Sequence, residues 1–229
     1  MLAHGHSPTA ALGADPKHQT RPLMEDDVHF YRPDAGHGLA HDPFKAIVAP
    51  RIVGWISTVN AAGLPNLAPY SFCSAVCSRP DIISFSSAGY KDSVRNIEAT
   101  REFAWNFVSR ELAEAMNATS EAVGPDINEF QLAGIESAAG RAISVPHVAA
   151  SPAVLECKLL DIVPLKDLNG DSAGHWVVFG QVVGVHIRRK YLRDGLFDTF
   201  LANPALRAGY RADYMSEGKR FEMFRPGQG

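Results

Sequence analysis

The chain has 229 residues, 46% of them hydrophobic, with 22 basic and 25 acidic side chains and a formal net charge of −3. That length and composition allow one large domain or two small ones around a sizeable core. Near-balanced charge spread along the chain argues against a nucleic-acid surface or a polybasic membrane anchor, and no run of about 18 apolar residues is present to form a transmembrane helix.

Residues 1–24 mix Ala, Gly, His, Pro and Thr without periodicity and read as a disordered N-terminal tail, with a single domain over 25–229. The start lacks a basic segment followed by an apolar stretch, so no secretory signal is expected. The three cysteines, Cys73, Cys77 and Cys157, are an odd number without a Cys-x-x-Cys pair. They read as small apolar fillers of a cytoplasmic protein. His37 and His41 have the spacing of a helical metal pair, but Gly36 and Gly38 disfavour the helix that would align them. A surface segment is the preferred reading, and no metal site is expected.

In chain order, 52–59 is a mostly apolar run with Gly54 and predicts a buried strand. Asn60-Ala61-Ala62-Gly63 is a hairpin-type turn. Residues 66–77 and 81–86 predict two further strands. A short helix follows over 93–100 with Val94 and Ile97 inward, then a strand over 102–108 anchored by Phe103, Trp105 and Phe107 at period two. Helices are predicted over 110–120 and 127–133, the second anchored by Phe130 and Leu132. Two long strands, 154–163 and 176–188, flank a loop of strong turn chemistry over 168–174. On the last strand, the face Val177, Phe179, Gln181, Val183, Val185, Ile187 is expected to be core, and the opposite face carries Gly180, Gly184 and His186. From Tyr191 the chain reads as irregular. Evenly spaced strands with inserted rather than alternating helices predict a mainly β protein, a β-barrel with added helices.

Motifs of several large enzyme classes are missing. There is no Gly-x-Gly-x-x-Gly after a strand, no P-loop, no Gly-x-Ser-x-Gly elbow and no His-Glu-x-x-His. Classical dinucleotide dehydrogenases, nucleotide hydrolases, serine hydrolases and zinc proteases are therefore disfavoured.

The polar residues set into the strands are more informative. Ser57 and Thr58 are adjacent and face opposite sides of a strand. They are either the end of a strand emerging into solvent or polar groups with partners, since a buried unpaired hydroxyl costs about 1–3 kcal/mol. Asn66-Leu67-Ala68-Pro69-Tyr70-Ser71 contains a proline that cannot donate a ladder hydrogen bond, marking an edge, a bulge or a strand start. Backbone N–H groups left free there could meet the carbonyl oxygens of a flavin ring. Lys91-Asp92-Ser93 opens a helix, where free N–H groups attract anions; Asp92 or Ser93 as a simple N-cap is the competing reading. His186 is either a structural hydrogen bonder or a ligand contact on a glycine-lined face that permits close approach. Small hydroxyls, a close-packed strand surface and a basic helix start together suit a flat polar ring with a phosphate tail, which describes FMN.

The order PR-x-x-GWIST, NLAPYSF, KDS-x-RN, W-x-F-V and VVGVHI resembles the flavin reductase-like family with the FMN-binding split barrel. The resemblance runs from about His29 to Tyr214. It implies an antiparallel Greek-key split barrel, a homodimer, and FMN near the subunit interface. By motif position it places Ser57, Thr58, Asn66, Ala68, Pro69, Tyr70, Ser71, Ser86, Lys91, Ser93, Asn106 and His186 in the flavin region. Ile52 stands where relatives often have Pro. The implied function is an FMN-dependent oxidoreductase, an NAD(P)H:flavin reductase taking hydride from NADH or NADPH. Its reduced flavin would serve a monooxygenase or an electron-acceptor protein, and no single catalytic acid or nucleophile is required. Two alternatives stand beside it: a flavoredoxin-like electron carrier without its own NAD(P)H site, and a non-enzymatic binding protein on the same barrel.

Overall fold

The computed structural model describes residues 27–216, 218–223 and 225–226; the predicted tail, 1–24, lies outside them. The chain separates into two compact units, Met1–Ala40 and His41–Gly229. In the first, a short 3-10 turn at Pro33–Ala35 follows Arg32, whose guanidinium pairs with Asp34 at 2.8 Å. The His29 ring nitrogen lies 2.7 Å from the His37 carbonyl, and the His37 ring accepts the Leu39 N–H at 3.0 Å. In the second unit, the His41 ring packs on Tyr210.

The larger unit is built on seven strands: β1 Gly54–Val59, β2 Pro65–Tyr70, β3 Cys73–Ser78, β4 Asp81–Ala88, β5 Glu102–Phe107, β6 Ala153–Lys166 and β7 Ser172–Ile187. They form one antiparallel sheet in the order β2-β1-β5-β6-β7-β4-β3. The edge strands β2 and β3 are consecutive in the chain, separated only by Ser71 and Phe72. Two residues span no more than about 7 Å, so the sheet must curl until its edges meet. The Ser86 N–H donates to the Phe72 carbonyl at 2.8 Å, extending the β3–β4 ladder by one rung up to the link. The predicted β-barrel is thus an antiparallel split barrel. The single strand predicted over 66–77 is instead two strands on opposite edges, because the chain breaks just after Pro69 and Tyr70 and changes edge.

Local turn chemistry follows the sequence. Asn60 Oδ1 accepts the Ala62 and Leu64 N–H groups, and Gly63 takes φ +81°, a conformation that suits glycine. At the β6–β7 loop, Asp167 Oδ1 accepts the N–H groups of Asn169 and Asp171. The two long strands carry register shifts at Phe179/Gly180 and Val182/Gly184. Such bulges bend a strand and change which face its side chains take.

The barrel interior is filled by Ile56, Tyr70, Ile83, Phe85, Phe103, Trp105, Cys157, Leu159 and Val178. Helix α1, Asp92–Thr100, adds Val94 and Ile97 to the same cluster, as predicted. A second cluster outside the barrel joins Trp55 and Leu67 to Met116, Phe130 and Val148. It sits beneath α2, Ala113–Ala118, and α3, Glu129–Leu132, and Trp55 Nε1 donates to Thr119 Oγ1 at 2.9 Å. A third cluster, Ala104, Ile143, Val145 and Val154, lies under the loop before β6.

Four further expectations need correction. The predicted helix over 110–120 is a 3-10 turn, Arg110–Leu112, followed by the shorter α2. Of the two predicted anchors of 127–133, Phe130 is buried but Leu132 is 46% exposed. On β7 the expected faces are exchanged: Val178 and Gly180 point inward, whereas Val183, Val185 and Ile187 are exposed. Alternation shows that two faces exist without showing which is inside, and the bulges shift the phase. Among the cysteines, Cys157 is a buried filler and burial pushes the half-buried Cys73 thiol up to about 12, but Cys77 is exposed.

Gly180 makes the inward face possible: a Cβ there would lie 2.3 Å from Phe103 Cζ. We expect Gly180→Ala to lower stability in urea unfolding by about 1–3 kcal/mol, the usual cost of forcing an extra carbon into a packed core.

Candidate functional site

Thr58 and Asn66 face each other across the β1–β2 ladder, and both side chains turn toward the start of α1. Asn66 Oδ1 accepts from Ser93 Oγ at 3.0 Å and from Thr58 Oγ1 at 3.3 Å. Asn96 Nδ2, one turn along α1 from Ser93, donates to Thr58 Oγ1 at 3.1 Å. Asn66 Nδ2 donates to Glu129 Oε1 at 2.6 Å, and the Leu67 N–H donates to Glu129 Oε2 at 3.1 Å. One asparagine side chain therefore ties together two strands and two helices.

Ser93 spends its hydroxyl on Asn66 and does not cap α1. The N-cap position is Lys91, with extended backbone and no side-chain hydrogen bond to the helix. The first N–H groups of α1 are thus without a side-chain acceptor, the condition that draws an anion to a helix start. Asp92 is paired with Arg95 in the same turn.

The helix start opens on a cleft of about 490 Å³ lined by Asn66, Ala68, Pro69, Tyr70, Lys91, Ser93 and the segment 119–123. A larger recess of about 930 Å³ adjoins it, and both include Pro69 and Ser120 in their walls. The recess adds Ser71, Arg110, Arg207 and Arg211. Tyr70 is buried, and that burial raises its phenol above the ordinary range, with Ser93 and Ser87 pulling the other way. Burial also raises the Glu129 carboxyl, only partly offset by its backbone and Asn66 hydrogen bonds.

Of the sequence-predicted residues, Asn66, Ala68, Pro69, Tyr70, Lys91 and Ser93 line the cleft, and Ser71 lines the recess. Thr58 lies behind them as a fully buried support. Ser57 faces the other side of β1, where Asn106 Nδ2 donates to its Oγ at 3.2 Å and to the Trp55 carbonyl at 2.8 Å. Asn106 Oδ1 accepts the Val148 N–H at 2.8 Å, so this pair fastens the loop before β6 to the barrel. Ser86 lies on β4, its N–H paired to the Phe72 carbonyl at the end of the β3–β4 ladder, and lines neither the cleft nor the recess. His186 lines neither the cleft nor the recess; its Nε2 lies 2.5 Å from Glu156 Oε1. Sequence reading missed Asn96 and Glu129. Asn96 stands three residues after Ser93, on the same helix face, a signal that could have found it. Arg207 and Arg211 fall in the stretch read as irregular.

Residues 48–200 match the family described as flavin reductase like domain. The chain belongs to this family. An uncharacterised protein of Deinococcus radiodurans is 32% identical over 192 residues, covering 79% of this chain and 82% of the relative. Among solved structures, nitrilotriacetate monooxygenase component B from Bacillus cereus superposes with a TM-score of 0.74 at 26% identity, covering 94% of this chain and all of that one. The 2-nitrobenzoate 2-nitroreductase of Pseudomonas fluorescens gives 0.71 at 25% identity, covering 80% and 89%. An FMN-binding protein from Thermus thermophilus, at 17% identity and a TM-score of 0.65 over 87% of this chain and all of that one, shares the fold. No described helix is long and apolar enough to cross a membrane.

Glu129 gives the cleft a pH signature. Its folded-state pKa is raised, so between the ordinary glutamate value and that raised value the folded protein binds more protons than the unfolded one. Stability from this group is present at low pH and is lost as pH rises through the folded pKa. We expect the stability of wild type relative to Glu129→Gln, measured by urea unfolding, to decline from about pH 4.5 upward and then level off.

Proposed function

We propose that the protein is an FMN-dependent oxidoreductase of the NAD(P)H:flavin reductase type. The observation that carries this reading is the uncapped start of α1 beside Lys91, opening on a cleft that shares a wall with a second, arginine-containing recess. Family membership and the relation to a monooxygenase component B support it.

The donor set fits the cofactor. Lys91 and the first N–H groups of α1 would hold the phosphate, with Asp92 neutralised by Arg95. Asn66 fixes Ser93, and so the helix start, against β1 and β2. Pro69 contributes no N–H of its own, and the backbone of Ala68, Tyr70 and Ser71 around it would meet the polar edge of the ring. When bound, FMN supplies the acceptor of hydride from NADH or NADPH; the chain supplies orientation, charge complementarity and exclusion of water. Ser57, Asn106 and His186 belong to this reading as supports of the surrounding barrel wall, or as contacts across a subunit interface. Arg110, Arg207 and Arg211 in the recess would attract the anionic tail of the nucleotide donor. Reduced flavin would then serve a monooxygenase partner.

The working form in this reading is a homodimer. Val183, Val185 and Ile187 lie along the C-terminal end of β7 and are 39%, 56% and 40% exposed, apolar surface that a second copy would cover. Light scattering of the flavin-loaded protein at micromolar concentration is expected to give twice the chain mass. A monomer mass would remove the dimer from the proposal.

Titrating FMN and riboflavin separately tests the phosphate site. Wild type is expected to prefer FMN, and Lys91→Ala to weaken FMN by about tenfold, the loss of one charge-assisted contact, while leaving riboflavin unchanged. Equal affinity of wild type for the two ligands would show that there is no phosphate site. Oxidation of NADH or NADPH under air by the FMN-loaded protein tests the enzyme itself.

A further inference from the structure

On the far side of the barrel wall, three side chains from three segments converge. Glu156 projects from β6, His186 from β7, and His147 from the short strand His147–Val148 that pairs with Ser137–Ala138. One ligand atom from each lies within 4.8 Å of the other two. We propose that His147, Glu156 and His186 form a structural site for a divalent first-row transition ion such as zinc, clipping the loop before β6 to the paired ends of β6 and β7.

Four observations support the site. First, His147 is 7% exposed, and its Nδ1 is buried without a hydrogen-bond partner, a state that a metal ligand bond would relieve. Second, Glu156 is fully buried, and each of its oxygens accepts a backbone N–H, from Arg141 at 2.7 Å and Ala142 at 2.6 Å. Those two bonds fix the orientation of the carboxylate, as outer hydrogen bonds do for metal-bound carboxylates. Third, Gly184 keeps space clear beside it, since a Cβ there would lie 3.0 Å from Glu156 Oε2. Fourth, the imidazole rings of His147 and His186 are only 4.5 Å apart, close enough to share one ion.

Two imidazoles and a carboxylate are a zinc-type donor set, and a water on the exposed side of His186, whose side chain is 22% exposed, would complete four-coordination. Zinc–ligand bonds near 2.0–2.2 Å in a tetrahedron place donor atoms about 3.4 Å apart. His186 Nε2 and Glu156 Oε1, now 2.5 Å apart, would separate by about 1 Å as the ion takes the place of their direct contact. The partly exposed His186 has room to make that move. Neither His147, Glu156 nor His186 lines the cleft or the recess.

The test uses the full chain, prepared without a polyhistidine tag, stripped with EDTA and titrated with zinc chloride in a calorimeter. His4, His6 and His18 can also take up zinc, so the comparison is between wild type and the variants His186→Asn and His147→Gln, which keep that background. Wild type is expected to bind one more zinc ion per chain than either variant, with affinity for that ion weakened at least about 100-fold by each substitution. Saturating zinc is expected to raise the wild-type Tm by about 5–10 °C, with little shift in the variants. Circular dichroism checks that the variants are folded; if one is not, the other carries the comparison. Wild type that binds no zinc, or variants that match it in stoichiometry and affinity, would overturn the site.

Discussion

Ser71 and Phe72 are all the chain spends in passing from one edge of a seven-stranded sheet to the other, and the barrel follows from that economy. An open sheet would place β2 and β3 far apart. A two-residue link brings them together, and the curvature must be taken up elsewhere. The bulges of β7 do so, together with Gly180, which lets the strand settle against Phe103. Because the seam lies just after Pro69 and Tyr70, it also places the end of β2 where the cleft and the recess share a wall.

The polar network around Asn66 shows how a strand surface can be buried and still be chemically useful. Asn66 uses its amide oxygen and its amide nitrogen in opposite directions, one toward Ser93 and Thr58 and the other toward Glu129. Each hydroxyl or amide in the network has a partner, which is what makes burial of Thr58 and Asn96 tolerable. The consequence for function is placement. The start of α1 is held to the barrel by side chains, leaving its first backbone N–H groups without a side-chain acceptor.

Much of this was legible in the chain. The hairpin at Asn60–Gly63, the inward Val94 and Ile97, the aromatic period of β5 and the basic start of α1 are local features, and local chemistry announces them. The features that were not legible depend on contacts distant in sequence. Asn66 and Glu129 are 63 residues apart, and nothing near either residue names the other. The faces of β7 were exchanged because valines on both sides look alike until Phe103 is seen to need Gly180. The break at Ser71-Phe72 was hidden because the strands on either side of it have similar composition. His186 was marked by its glycine-lined face, but Glu156 gave no sign within β6 that it was the partner.

Glu129 also alters what the edge of β2 can offer to other molecules. An edge strand ordinarily presents a row of donors and acceptors to any extended peptide, and that is how sheets of separate chains come to join. Here one carboxylate oxygen stands in for the carbonyl of a neighbouring strand, taking the Leu67 N–H, while the other accepts from the Asn66 side-chain amide. A side chain on a four-residue helix thus acts as a counterfeit eighth strand that cannot itself be extended. The barrel can leave that edge without a partner strand and still not offer it as a template for aggregation.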